Sequence, residues 1–256
     1  MSDTPLKITL DRDGKLLRLR LNMPKANIVD AAMIAALSKA LAAHAAQPRL
    51  RAVLLEHEGP HFSFGASVAE HMPDQCALML KSLHALVLQM VSYPVPILVA
   101  VKGQCLGGGL EVAMAGHLMF VTPDAKLGQP EIQLAVFAPA ASCLLPERMP
   151  RAVAEDMLYS GRSITGAEAA QFGLANGASE DPEAAALAYF DASLAKHSAT
   201  SLRFAVQAAR QDLIARVTAR IAFVEELYLN GLMATKDAVE GLTAFTLKRP
   251  ARWEDQ

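Results

Sequence analysis

Ile97-Leu-Val-Ala-Val-Lys-Gly-Gln-Cys-Leu-Gly-Gly-Gly-Leu-Glu-Val-Ala-Met-Ala115 decides how the rest of this chain is read. Its first five residues are apolar and largely β-branched, the pattern of a strand buried on both faces. Gly103 and the triplet Gly107-Gly108-Gly109 interrupt it, and residues 110–115 then read as a short helix. A strand that enters a helix through glycines leaves unpaired amide hydrogens at the helix start, where backbone can approach a ligand closely. A tight turn with no ligand would use the same residues. The glycines lack the Gly-x-Gly-x-x-Gly register and no Gly-Lys-Ser/Thr follows, which excludes a dinucleotide fingerprint and a phosphate loop.

Working outward, Leu16–Leu21 alternates as a strand with Arg18 and Arg20 on one side, and Asp30 precedes an alanine-rich helical stretch, 31–46. Residues 51–56 read as a second buried strand, 74–92 as a helix stopped by Pro94, and Leu118–Val121 as another strand. Strands separated by helices, with connections too long for hairpins, point to β-α-β crossovers around a largely parallel sheet, so the class is α/β. Beyond about Pro150 the strand signal fades. Thr165-Gly-Ala-Glu168 has capping-box spacing, Asp181-Pro182-Glu183 sets a cap before a first-turn proline, and the C-terminal third reads as a helical layer. No repeat at solenoid periods and no low-complexity linker marks a domain boundary.

The 256 residues, 52% hydrophobic and 20% charged, suffice for one substantial core. A net charge of −2 supplies no field for nucleic acid, and residues 1–10 lack the pattern of a secretory leader. No apolar run approaches the roughly 20 residues of a spanning helix, so a soluble, cytoplasmic protein is expected. Cys76, Cys105 and Cys143 are too scattered for a disulfide framework or a thiolate zinc site. His57-Glu-Gly-Pro-His61 has the letters of a zinc-protease motif, but Gly59 and Pro60 prevent the helix that would make the imidazoles converge.

Two acids stand out. Glu111 follows the glycines in the first helical turn, where a carboxylate often only complements the helix dipole, yet its neighbours Leu110, Val112 and Met114 are apolar. Glu131, in Gly128-Gln-Pro-Glu-Ile132, follows a candidate strand and could equally be an exposed turn residue.

Taken together, these stretches resemble the enoyl-CoA hydratase/isomerase (crotonase) family. Phe62-Ser-Phe-Gly-Ala-Ser67 is similar to its Phe-Ser-x-Gly-Ala-Asp, Val101 through Glu111 to its second signature and Leu127-Gly-Gln-Pro-Glu-Ile132 to its third. Leu158-Tyr-Ser-Gly-Arg162, Glu168 through Leu174, Pro24-Lys-Ala-Asn27 and Phe245-Thr-Leu-Lys-Arg-Pro250 extend the likeness over nearly the whole chain. The resemblance implies a ββα spiral core over residues 1–195 and a C-terminal helical trimerisation layer over 196–256, within one structural unit. It also implies an acyl-CoA thioester substrate, no cofactor and no metal, no nucleic-acid or membrane partner, and a homotrimer or dimer of trimers. The amides of Ala66 and Gly108 would form an oxyanion hole, and Glu111 and Glu131 would handle water and proton. Lys25, Ala26, Ala66 and Ser67 would bind coenzyme A, with Lys248 and Arg249 contributing from a neighbouring subunit.

The chain also departs from the family. Where hydratases run to a Pro-Gly-x-Gly-Gly turn, residues 134–142 read Leu-Ala-Val-Phe-Ala-Pro-Ala-Ala-Ser, and Ser67 replaces an aspartate. Val136, Phe137 and Pro139 therefore line the substrate pocket in this reading, which disfavours a simple straight-chain substrate. The stretch resembles the branch that hydrates a cyclic dienoyl thioester, cyclohexa-1,5-diene-1-carbonyl-CoA, in anaerobic aromatic degradation. The alternatives are a straight-chain hydratase, a double-bond isomerase, or a non-catalytic RNA-binding relative.

Overall fold

The computed structural model describes residues 4–256; residues 1–3, the start of the stretch read above for a leader, lie outside them. Strands β1 (Leu6–Asp11) and β2 (Leu16–Leu21) form an antiparallel hairpin, followed by helix α1 (Ala31–His44), which Asp30 caps by accepting from the Met33 amide. Next come β3 (Ala52–His57), α2 (Cys76–Val91), β4 (Ile97–Val101), β5 (Gln104–Leu106), α3 (Gly108–Ala115), β6 (Leu118–Val121), β7 (Lys126–Gly128) and α4 (Pro139–Arg148). The remainder is α5 (Arg151–Ser160), β8 (Ser163–Thr165), α6 (Gly166–Gln171), β9 (Gly177–Ala178), α7 (Pro182–Tyr189), α8 (Ala199–Glu226) and α9 (Lys236–Thr246).

The main sheet has the order β1-β2-β3-β4-β6-β9, parallel from β2 onward, and the small sheet the order β5-β7-β8. Every residue of β3 and β4 is buried, as their uninterrupted apolar runs require of strands covered on both faces. Val53, Leu55, Ile97, Val99 and Val101 pack into the larger core with α1, α2 and α3, whereas Leu54, Leu98 and Ala100 meet Ala186 of α7 and Phe190 just after it. Arg18 and Arg20 share one side of β2 because Glu56 of β3 is buried there: both bond to it and to Glu183 of α7.

The chain advances in similar steps: a main-sheet strand, a short inner strand, then a helix. β4-β5-α3 and β6-β7-α4 are two such steps, and β3 begins a third, in which Ser63 bridges to Cys105 before α2. The main-sheet strands open these steps at residues 52, 97 and 118, so the sequence has no fixed period although the backbone repeats. The short strands β5, β8 and β9 escape the periodicity reading because three residues or fewer cannot establish an alternation. The capping box at Thr165 and the Asp181 cap form as their spacing indicates. The two histidines of the zinc-like motif instead anchor backbone: His57 Nε2 accepts from the Lys102 amide and His61 Nδ1 from the Gln104 amide, each at 3.2 Å. Among the described residues, no helix is long and apolar enough to cross a membrane.

Asn27 fixes the loop between β2 and α1. It is fully buried at φ 45°. Its side chain accepts from the Met23 amide at 2.8 Å and donates to the Glu58 and His61 carbonyls at 3.0 Å each. Asn27→Ala leaves those carbonyls buried without their donor and should lower the unfolding free energy by about 3 kcal/mol in urea denaturation. A change within about 0.5 kcal/mol would mean that water takes over the bonds.

Candidate active site

Hydrogen bonds between successive steps bring three remote loops together. The Ser63 amide donates to Gln104 O and the Leu106 amide to Ser63 O, each at 3.0 Å, and the Gly107 amide donates to Gly128 O at 2.9 Å. Residues 63–67, 104–108 and 126–131 therefore lie side by side. Gly107 sits at φ 49°, and a Cβ there would stand 2.6 Å from Glu131 Oε1. A Cβ on Gly108 would fall 3.1 Å from the Ala66 nitrogen and crowd it, so glycine favours the close approach of these two loops. Neither the Ala66 nor the Gly108 amide has an acceptor among the described residues, and Gly108 opens α3. Both residues line a cavity of about 290 Å³ together with Glu111 and Glu131.

Glu111, 3% exposed, lies in the first turn of α3, and its Oε1 accepts from the Ala141 amide of α4 at 2.8 Å. Burial pushes its pKa up, while the Ala141 amide and then the His84 imidazole pull it back. Glu131 belongs to a 3-10 turn, Pro130–Leu134, and keeps partial contact with the open space. Burial and the negative charge of Glu111 push its pKa up to about 8. Two carboxylates in one largely apolar cavity oppose being ionised together, and this falls most heavily on Glu131. With its amide nitrogen turned toward Glu131, Gln129 donates to both carboxylate oxygens, at 3.1 and 3.0 Å.

The chain turns after Glu131 through Ala135, which takes the left-handed conformation at φ 54° without being glycine. This turn carries Val136, Phe137 and Pro139 into the cavity wall, and Phe137 meets the ring of Tyr228 edge-on at 5.3 Å. Leu80 and Leu83 of α2 add to the wall, as do Leu242 and Phe245 of α9. Thus α9 closes the cavity of its own chain.

The sequence-derived coenzyme A set is more dispersed. Ala66 lines the cavity, whereas Lys25, Ala26, Ser67, Lys248 and Arg249 do not. Ala26 supports the neighbouring loop by accepting from the Phe64 amide at 3.0 Å, and both guanidinium nitrogens of Arg249 bind Glu240, at 2.6 and 2.7 Å. Cys105 and Cys143 are buried, which pushes both thiols up and leaves neither a ready nucleophile. Sequence reasoning passed over His71, which lines the cavity with Nδ1 2.8 Å from Ser67 O and whose burial lowers its pKa. Its only sequence signal was a polar residue just before Pro73 and a helix.

The arrangement can polarise a carbonyl oxygen with two preorganised amides while one carboxylate removes a proton and the other supplies one. Comparison with known proteins agrees with this chemistry. The family model described as enoyl-CoA hydratase/isomerase matches residues 11–256. The chain is 66% identical to a cyclohexa-1,5-dienecarbonyl-CoA hydratase of Thauera aromatica, over 100% of this chain and 99% of the relative. It is 30% identical to a probable enoyl-CoA hydratase of Bacillus subtilis, over 97% and 99% of the two chains. The crystal structure of an enoyl-CoA hydratase from Mycobacterium avium superposes with a TM-score of 0.87 at 23% identity, covering 98% of this chain and 99% of the other.

The raised Glu131 pKa makes one contribution to how stability depends on pH. Folding raises it from an ordinary 4.5 to about 8, so the stability linked to its proton is complete below about pH 4.5 and is lost as pH rises through 8. Glu131→Gln has no such proton to lose. Urea denaturation from about pH 5 to about pH 9 should show the variant gaining steadily on the wild type, whereas a constant difference would place the Glu131 carboxyl in a water-like environment.

Proposed function

The chain belongs to the enoyl-CoA hydratase/isomerase family, and we propose that it hydrates cyclohexa-1,5-diene-1-carbonyl-CoA to 6-hydroxycyclohex-1-ene-1-carbonyl-CoA. The observation that carries this reading is the full-length 66% identity to a hydratase of that diene. The two buried carboxylates in one cavity and the Ala135–Pro139 wall are consistent with it.

In this reading the thioester oxygen lies against the Ala66 and Gly108 amides, each donor contributing about 3 kcal/mol to the developing charge. Glu111 is the base, since the Ala141 amide and the His84 field favour its anion. It takes a proton from water as hydroxide bonds to ring carbon 2, β to the thioester. The electron pair of the C1–C2 double bond moves onto the thioester and the remaining C5–C6 double bond, giving a dienolate. Glu131, protonated because burial and Glu111 raise its pKa, delivers its proton to carbon 5. Protonation at this far, γ-type carbon keeps the new double bond conjugated with the thioester, which protonation at carbon 1 would not. Water has then been added in full, and the one proton of the pair has passed from Glu131 to Glu111.

Val136 and Phe137 line the cavity with bulky apolar side chains, as a ring substrate would favour, and retention of both carboxylates favours hydration over isomerisation. Lys25, Ala26, Ser67, Lys248 and Arg249 are proposed contacts for coenzyme A, which is part of the substrate, and the chemistry asks for no further cofactor. A cytoplasmic homotrimer or dimer of trimers is proposed as well, with residues 1–195 and 196–256 acting as one unit. Exposed Phe204 and Phe223 on α8 offer apolar surface for such contacts.

Glu111→Gln and Glu131→Gln should each lower kcat by about 10²- to 10⁴-fold while leaving the Kd of a saturated acyl-CoA within about threefold. Mass spectrometry of the enzyme with the cyclic diene should register a gain of one water. In deuterium oxide the label should reside on carbon 5. Faster turnover of crotonyl-CoA than of the diene would reverse the substrate assignment, and full activity of both variants would remove the acid-base roles.

A further inference from the structure

Water that attacks a double bond brings two O–H groups into the cavity. The base takes the proton of one, and the other survives as the hydroxyl of the product and needs an acceptor of its own. The polar side chains on the cavity wall are His71, Glu111, Glu131 and Gln133. Glu111 Oε1 already accepts from the Ala141 amide, which leaves Oε2 for the proton that is removed. Both oxygens of Glu131 are met by the Gln129 amide, and the Gln133 amide leans on the Gly161 carbonyl. The Ala66 and Gly108 amides are donors and serve the thioester oxygen. Of these groups His71 is the one left to accept.

The state of its imidazole follows from its bonds. His71 ends the 3-10 turn Ala69–His71, shortly after Ala66, and its Nδ1 stands 2.8 Å from the Ser67 carbonyl oxygen. A carbonyl only accepts, so Nδ1 carries the proton. Burial lowers the pKa of the imidazole, so it is neutral near pH 7 and Nε2 holds a lone pair. Nε2 has no partner among the described residues and does not belong to the polar atoms sealed in the interior. The open space His71 borders is the cavity, whose volume of about 290 Å³ is at the small end for a ligand site, so an acyl group that fills it meets most of the wall. The Glu70 amide donates to the same Ser67 carbonyl at 3.1 Å, which ties the imidazole to the loop that carries Ala66.

We propose that His71 Nε2 accepts the O–H that the attacking water keeps, which makes His71 the residue that recognises the hydroxyl of the product. The proposal rests on the hydratase reading for the water and not on the identity of the acyl group. It gives the cavity a complete set of partners: amides for the thioester oxygen, one carboxylate for each proton that moves, and a neutral imidazole for the proton that stays. A histidine that only braced the loop through Nδ1 would affect every ligand alike, with or without a hydroxyl.

The test compares ligands that differ by one hydroxyl, bound to Glu111→Gln, in which turnover is slow and the Gln amide stands in for the protonated acid. There 6-hydroxycyclohex-1-ene-1-carbonyl-CoA should bind about threefold to tenfold more tightly than cyclohex-1-ene-1-carbonyl-CoA, as one neutral hydrogen bond provides. Adding His71→Phe should abolish that preference, whatever loss of the Ser67 bond does to both ligands together. Nitrogen NMR of the histidine-labelled wild type, with His71→Phe identifying the signal, should find the His71 proton on Nδ1 near pH 7. An undiminished preference in the double variant, or a proton on Nε2, would overturn the proposal. If His71→Phe does not fold, His71→Leu takes its place, and the lack of any hydroxyl preference in Glu111→Gln alone is enough to overturn it. The same measurements with 3-hydroxybutyryl-CoA and butyryl-CoA separate the two readings. A preference that depends on His71 for the straight-chain pair, with neither cyclic thioester bound, would support its role while removing the cyclic substrate.

Discussion

The active-site geometry depends on backbone hydrogen bonds that run between successive steps of the chain and not within them. The Ser63 bonds to Gln104 and Leu106, and the Gly107 bond to Gly128, hold three loops in lateral register. That register sets the two unpaired amides beside each other and two carboxylates across one cavity. Each loop follows a short inner strand, so the site inherits the rigidity of a sheet while its residues occupy loop positions free to carry chemistry. Glycine suits 107 because of its left-handed backbone and the Glu131 carboxylate beside it, and 108 because a Cβ there would crowd Ala66.

A second constraint follows from the first. Drawing the loops together forces Glu111 and Glu131 into a shared apolar space where both cannot be ionised at little cost. The chain offsets this unequally: Glu111 accepts from a buried backbone amide near an imidazole, whereas Glu131 meets the Gln129 amide together with the repulsion of its neighbour. In the reaction proposed for the chain, this inequality would become a division of labour, and each turnover would leave the proton on the opposite carboxylate, to be exchanged before the next water is added.

The parts of the fold and site legible in the sequence were those carried by local punctuation. The apolar runs at 53–55 and 97–101 marked strands buried on both faces, the glycine triplet marked the opening of α3, and Asp30, Thr165 and Asp181 marked helix starts. Glu111 stood out beside the glycine triplet and Glu131 after a candidate strand, but only the family resemblance joined them as a pair. His71, His84, Glu225 and Tyr228 approach the same centre from elements distant in sequence, where an isolated polar residue on an apolar helical face reads as a tolerated core position. Only packing of α2 and α8 against α3 and α4 makes them neighbours, and helical periodicity carries no record of which helices meet. The in-chain closure by α9 was hidden for the same reason.

The departure at residues 134–142 gains meaning from this packing. A glycine-rich turn after Glu131 would leave that side of the cavity open and mobile, suiting an extended acyl chain that can adjust its own torsions. Here Ala135 takes the left-handed turn at some conformational cost, and Phe137 braces against Tyr228. A stiff wall is useful when the substrate is itself stiff. In a six-membered ring the carbons that receive hydroxide and proton stand at fixed separation on opposite sides, so neither carboxylate can be reached by bending the substrate. For the cyclic diene proposed as substrate the protein would have to supply the match, and side-chain contacts running from the cavity wall to Tyr228 stand where a glycine-rich turn would be free to move. Those contacts end at Tyr228, three residues beyond the glutamate that holds His84. The brace of the cavity wall and the partner of His84 are thus carried by one helix and the turn that continues it.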